Sequence, residues 1–244
     1  MNKNYKNNNG HVGCLLENYI EKEILDANWP LFFCQSVLLM PPFCVTNGYV
    51  TPVDKKYYIK ILLGVCLHIA ARVYYYICLY ESFLQISMNP FVIFMATANS
   101  ATYCIAIIVI YFVNVIQSHN NLQVMLKLRQ ALFTINLEKQ EILKDHKIWN
   151  FIYIIGLVSI EVVVSICYCR MEQRMSFIFS KITFLVCDIN LVCLYRTVSF
   201  GASLLASWNR KMMIYTNQIV TKKEIESMFN AYMHIIDALG LCKK

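Results

Sequence analysis

Four long apolar stretches, roughly 61–80, 91–116, 148–169 and 177–205, divide the chain, and each has the ~20 residues needed to cross the hydrocarbon core of a bilayer. Nothing else in the sequence constrains the fold as strongly. A backbone in lipid has no water to bond, so each stretch must satisfy its own N–H and C=O groups, which makes it a helix. The expected fold class is all-α: a polytopic transmembrane helix bundle of about four spans, with a short Pro-interrupted interfacial helix and long cytoplasmic helix extensions.

The 244 residues are 58% hydrophobic and only 15% charged, with a mean hydropathy of +0.47. That is too apolar for an ordinary soluble domain and leaves no room for a separate catalytic one. The sequence has no phosphate-binding glycine loop, no H-E-x-x-H, no G-x-S-x-G and no ordered set of metal ligands. His11, His68, His119, His146 and His234 are dispersed. Neither an enzyme nor a cofactor is expected. The net charge of +7 is not gathered into a basic patch interleaved with stacking aromatics, so nucleic acid is not an expected partner. The bilayer is.

The cations instead sort by connection. Lys3, Lys6, Lys22, Lys55 and Lys56 precede the first span, whereas the turn 84–90 has no basic residue. Lys127, Arg129, Lys139, Lys144 and Lys147 follow the second span, and Arg170 and Arg174 lie in the short turn before the fourth, with Lys181 one turn into that span. Arg210, Lys211, Lys222, Lys223, Lys243 and Lys244 come after it. By the positive-inside rule both termini and the long middle connection are cytoplasmic, and the two short turns face out. The expected order is a cytoplasmic segment 1–28, an interfacial or re-entrant helix 29–47, span one 57–83 and span two 91–116. A cytoplasmic amphipathic helix 117–147, span three 148–169, span four 176–206 and a cytoplasmic amphipathic tail 207–244 follow.

The run 29–47 is uncharged but contains Pro41 and Pro42, which remove two backbone donors and break helical continuity. A fifth span is the alternative to the interfacial or re-entrant helix. The asparagine-rich start is polar and expected to be disordered, and the first apolar run begins too late for a signal peptide. The 11 cysteines are scattered, often inside spans, and read as small buried hydrophobes rather than disulfides.

In the middle connection Leu122, Met125, Leu126, Leu132, Phe133, Leu137 and Leu143 fall mainly at helical spacings, with Lys127, Gln130, Glu138, Lys139 and Glu141 between them. This is an amphipathic helix, either lying on the membrane surface or packed in a cytoplasmic bundle. In the tail, Thr221 and Glu224 form a capping box. Ile225, Met228, Phe229, Tyr232, Ile235, Ile236 and Leu239 then mark one face, and Gly240 can supply a left-handed stop. A helix with such a stripe needs a partner.

Charges inside spans cost roughly 2.5 to 3.5 kcal/mol each near a helix centre. Arg72, Glu161 and Asp188 come from three different spans and lie at similar depth, about 12 to 16 Å from the outer helix ends at the α-helical rise. Two readings stay open: a structural ion-pair set in which Arg72 balances Glu161 or Asp188, or a hydrated ligand pocket opening outward. Tyr74, Tyr75, Tyr76 and Tyr103 would add hydroxyls and ring faces suited to a polyhydroxylated or aromatic ligand. The candidate ligand-binding residues are Arg72, Tyr75, Tyr76, Glu161 and Asp188. Arg196 and Lys181, nearer the helix ends, are expected to snorkel. Asn89-Pro90 opens span two on the outer side and Cys169-Arg170-Met171 lies outside, which excludes a G-protein-coupled receptor on position and orientation.

The order of these parts resembles that of the insect gustatory receptors of the seven-transmembrane chemoreceptor superfamily, over nearly the whole chain. The similar features are an inside amino terminus and a short apolar segment ending in Leu39-Met40-Pro41-Pro42-Phe43. Next come Asn121-Leu122 at the start of a long inner helix, Trp208-Asn209 just beyond span four, and the amphipathic segment 229–239 with Tyr232 and Asp237. The resemblance implies a subunit of a ligand-gated cation channel in the plasma membrane that detects a small-molecule tastant. It also implies a homo- or hetero-tetramer, an outward pocket in each subunit, and inner helices packed into a shared anchor. The family pattern has seven spans, the last bearing Thr-Tyr, five hydrophobic residues and Gln-Phe. Here Thr102-Tyr103 leads to Val109-Ile110 where Gln-Phe should stand, and in the wrong span. The resemblance therefore implies an amino-terminal portion lacking the last three spans, which is not expected to conduct alone. The rival from another class is a four-span membrane adaptor or assembly protein that holds a partner through its cytoplasmic helices. A small secondary transporter fits less well, because no span is broken by paired glycine or proline and no inverted repeat is evident.

Overall fold

The computed structural model describes residues 19–41, 43–46, 49–51, 55–85, 89–135, 139–172, 176–216 and 220–242. In chain order these form α1 (Lys22–Val37), β1 (Cys44–Thr46), β2 (Tyr49–Thr51), α2 (Lys55–Gln85), α3 (Pro90–Ile116), α4 (Ser118–Ile135), α5 (Lys139–Glu172), α6 (Ser176–Tyr215) and α7 (Lys222–Cys242). The chain is an all-α polytopic helix bundle. Four stretches, Tyr57–Glu81, Pro90–Ile116, Lys139–Cys167 and Phe184–Tyr215, are long and apolar enough to cross a membrane, which makes it a multi-pass, membrane-embedded protein. The expectations for the asparagine-rich start, Pro42, Leu137, Glu138, Arg174, Lys243 and Lys244 lie outside the described residues.

α2 packs against α3, α5 packs against α6, and α6 touches α2 as well. The short connections α2–α3 and α5–α6 share one end of the bundle, the turn end. At about 1.5 Å per residue, α5 is roughly 50 Å long and α6 roughly 60 Å, against a hydrocarbon core of about 30 Å. Both therefore project beyond the spans at the opposite end, where α1, α4 and α7 surround them as a collar. Asn89 starts α3 by accepting from the Phe91 amide at 2.9 Å, with Pro90 at a position where its missing N–H costs nothing. Phe91, Phe94, Ile105, Phe112 and Ile116 of α3 point outward and form a surface suited to lipid.

The collar has its own core. Leu128, Ala131, Leu132 and Ile135 of α4 meet Met228, Ala231, Ile235 and Ala238 of α7, all buried. Each large side chain there stabilises by roughly 1.5 to 3 kcal/mol on burial. The partner that the stripe of α7 requires is thus α4 of the same chain. The boundary expectations change in two places. Ile225, Phe229 and Ile236 stay exposed, because the buried line runs through Ala231 and Ala238, whose small side chains let the two helices approach. Gly240 does not stop α7, which continues to Cys242. The capping box forms as expected: Glu224 Oε2 accepts from the Thr221 amide at 2.9 Å and from its hydroxyl at 2.7 Å. These bonds hold the Glu224 carboxyl below its usual range.

The expected helix over 117–147 is instead two, α4 and the start of α5. On one straight helix Leu122 and Leu143 would stand about 31 Å apart. Folding back places both in one core with Phe200 and Leu204 of α6. Ion pairs tie the pieces: Lys127–Asp237 at 2.6 Å, Arg129–Glu21 at 2.7 Å and Lys139–Glu23 at 3.0 Å. The Trp208 indole donates to the Met228 carbonyl at 2.7 Å, and the Lys211 ammonium donates to the Ile135 carbonyl.

The segment 29–47 also differs from expectation. The helix begins at Lys22, runs through Pro30 and ends at Val37, and the antiparallel ribbon β1–β2 follows, with Val45 opposite Val50. Leu39 adopts φ 60°, the left-handed turn that ends a helix. The Met40 amide then reaches back to the Gln35 carbonyl at 2.7 Å. This end of α1 enters the bundle: Leu31, Leu38 and Met40 pack with Ile61, Ile107, Tyr111, Ile154 and Ile189. Tyr111 donates to the Leu38 carbonyl at 2.6 Å. At 16 residues, α1 measures only about 24 Å, and it lodges among the spans from the collar side.

Candidate ligand cavity at the turn end

Arg72, Tyr75, Tyr76 and Leu79 recur at i, i+3, i+4 and i+7 and so share one face of α2. That face looks across a cavity of about 290 Å³ toward Ala96, Asn99 and Ser100 of α3, Val164 of α5, and Lys181 and Phe184 of α6. The volume is near the lower bound for small-molecule sites. Tyr76 and Thr97 approach to 2.6 Å. The Thr97 hydroxyl already donates to the Ile93 carbonyl at 2.8 Å, so Tyr76 is the donor between them. That bond joins α2 to α3 at the cavity wall.

Arg72 is only 2% exposed. Its guanidinium carbon lies over three rings, 4.8 Å from the centroid of Tyr103, 5.3 Å from Tyr75 and 5.5 Å from Phe184. Tyr103 and Phe184 meet edge to face at 4.4 Å. Ring faces attract a cation through their quadrupoles, worth up to about 2 kcal/mol when desolvated, so the aromatic cage helps hold the guanidinium inside the bundle. The Lys181 ammonium stands 5.1 Å from the same Phe184 ring, which is flanked by both cations.

Three of the five candidate residues, Arg72, Tyr75 and Tyr76, line this cavity, and the two carboxylates do not. Glu161 pairs with Lys181 at 3.4 Å, where the sequence suggested Arg72. Lys181 therefore does not snorkel; its side chain is 19% exposed and turned inward to that carboxylate. Asp188 lies behind, within electrostatic reach of Glu161 and Lys181. Lys181, Phe184, Asn99 and Ser100 were missed. Lys181, Phe184 and Asp188 fall at i, i+3 and i+7 on one helical face, which is the signal that could have found the first two.

Arg196 likewise does not snorkel. It is 5% exposed and donates to Asn150 Oδ1 at 2.7 Å, to the His146 carbonyl at 3.3 Å and to Ser199 at 3.4 Å. Asn150 in turn donates to the Ala27 carbonyl at 2.8 Å. This second polar cluster binds α1, α5 and α6 where the spans meet the collar, and it is structural in character. The histidine in it, His146, could not be singled out among five dispersed ones.

Chemically, the turn-end cavity offers two cations, phenol hydroxyls, an amide and a hydroxyl among ring faces. It suits binding a polar molecule and holds no arranged nucleophile and base. Among the described residues no group of His, Cys, Asp and Glu could hold a metal ion. No known family model, no curated protein and no solved structure matches this chain.

Proposed function

We propose that the protein is a membrane chemoreceptor subunit of the insect gustatory type, part of a ligand-gated cation channel in the plasma membrane, with the turn end facing out and both described ends of the chain on the cytoplasmic side. The observation that carries this reading is the cavity lined by Arg72, Tyr75, Tyr76, Lys181 and Phe184. Its hydroxyls, cations and ring faces suit a small polyhydroxylated or aromatic tastant. The paired cations at Phe184 lie where such a ligand could compete for their interactions, which would let binding shift α2 against α6. The collar supports the same reading as an anchor built from inner helices, and the exposed Ile225, Phe229 and Ile236 supply an apolar surface for tetramer assembly.

The adaptor reading has less to draw on, because the principal face of α7 is occupied by α4. The test is direct binding to the protein in nanodiscs, with sugars, amino acids and aromatic bitter compounds as probes and saturation-transfer NMR as readout. At least one class should bind wild type and lose binding in Arg72→Gln and in the paired Lys181→Gln with Glu161→Gln, which strands no charge, in proteins that keep their melting temperature. If no class binds, and a soluble protein co-purifies in stoichiometric amount, the adaptor reading replaces this one.

A further inference from the structure

A second cavity, of about 300 Å³, lies where the spans meet the collar. Its polar wall is made of Asn28 and Gln35 on α1, Asn114 and Gln117 at the end of α3, Asn121 on α4, and Asn190 and Thr197 on α6. Among the described residues no charged side chain lines it, which sets it apart from the cavity at the turn end. Gln35 is only 5% exposed and places its carboxamide in that wall. A carboxamide at a cavity wall is a hydrogen-bond partner for a polar ligand group there.

The shape indicates what that group belongs to. Val109, Val113 and Leu194 line the cavity and are also exposed on the outside of the bundle, so the mouth opens between α3 and α6 on the surface that lipid covers. Gln117 caps α3 and marks the boundary between span and collar, while Val109 lies about 12 Å deeper along the helix. The cavity is thus polar at the membrane boundary and apolar within, like a lipid standing head-up. A carboxamide both donates and accepts, as a hydroxyl does. A charged head would find no counter-charge and would keep its desolvation cost.

We infer that this cavity binds a neutral lipid alcohol, which enters from the bilayer between α3 and α6. Its hydroxyl meets the carboxamides of Gln35 and Gln117, and its apolar body lies along Val113 and Val109. The inference does not depend on the receptor reading.

The test uses the protein in phosphatidylcholine vesicles with hexadecanol carrying a diazirine and an alkyne, alongside hexadecyl sulfate carrying the same groups. Peptides containing 109–117 and 190–197 should be photolabelled several-fold more by the alcohol than by the sulfate. Val113→Trp, which fills the mouth from the lipid side, should abolish the difference. Gln35→Leu should weaken labelling roughly fivefold, the loss of one ordinary hydrogen bond; Gln117→Leu, at a helix end, carries the same test if Gln35→Leu does not fold. Equal labelling by the two heads, or labelling unchanged in these variants, would overturn the proposal. Competition by aqueous hexane-1,6-diol but not by unlabelled hexadecanol would overturn the bilayer route.

Discussion

The Arg196 guanidinium meets Nδ1 of His146 at 3.0 Å, and because arginine only donates, that nitrogen is the acceptor. The proton therefore sits on Nε2, which donates to Asn28 Oδ1 at 3.2 Å. The Asn28 amide nitrogen passes the chain on to the Ile24 carbonyl at 3.0 Å. One cation on α6 thus sets the histidine tautomer and, through it, fastens α1. His146→Leu should lower unfolding stability by about 1.5 to 3 kcal/mol, the usual range for bonds to a charged group. Thermal unfolding in detergent reads this, and His146→Gln should recover part of the loss because its amide can accept from Arg196.

Gly64 permits the close approach of α1 to α2. A Cβ there would stand 2.9 Å from Leu39 Cβ and 2.9 Å from the Tyr111 hydroxyl, disturbing the bond that Tyr111 makes to Leu38. Gly64→Ala should cost about 1 to 3 kcal/mol by overpacking. Gly156→Ala meets nothing within 4 Å and should be neutral or stabilising by up to about 1 kcal/mol. Parallel melting curves compare the two.

The collar ion pairs make its docking sensitive to acid. The Lys127 hydrogen bond holds the Asp237 carboxyl below its ordinary 3.8. Burial alone would raise Glu21 above 4.5, but its bonds from Arg129, with Lys139 nearby, leave it lowered. Carboxyls depressed in the folded state contribute fully above those unfolded values and lose their contribution as pH falls through the folded ones. Hydrogen exchange in α4 and α7 should therefore rise below about pH 4, after correction for intrinsic rates, beyond an earlier rise that starts below about pH 6.5, because burial and the Lys127 ammonium hold the His234 imidazole of α7 below its ordinary 6.5. Lys127→Met together with Arg129→Met should remove the acid step.

Lys181 and Glu161 are 19% and 17% exposed, so each is costly to strand alone. Lys181→Met should destabilise by about 3 kcal/mol, and Lys181→Met with Glu161→Gln should recover most of it. A double-mutant cycle that gave no coupling would mean the pair is not formed.

Which parts were legible in the sequence follows from the range of the interactions. The four spans are runs of adjacent apolar residues, and the Thr221–Glu224 box needs only a spacing of three. The left-handed Leu39 has no composition signal, since glycine or asparagine is usual there. The ribbon had one, Asn47-Gly48 between short apolar-bearing runs, obscured by the neighbouring prolines. The stripe of α7 demanded a partner and that of α4 a partner or a membrane surface, without naming which, because helix pairing is decided by surface fit across more than a hundred residues of chain. Depth along the spans put Arg72, Glu161 and Asp188 at similar levels, but rotation about each helix axis decides which of them meet. That is why Lys181 took the place expected of Arg72.

The most direct measurement is the accessibility of Ser100 from outside the cell. In a protein whose native cysteines are replaced, Ser100→Cys should react with a membrane-impermeant methanethiosulfonate added to intact cells, whereas Val109→Cys, on the lipid side near the other end, should not. Reaction of Ser100→Cys only after permeabilisation would reverse the orientation, and no reaction at all would mean that the turn-end cavity is closed to water and to any tastant.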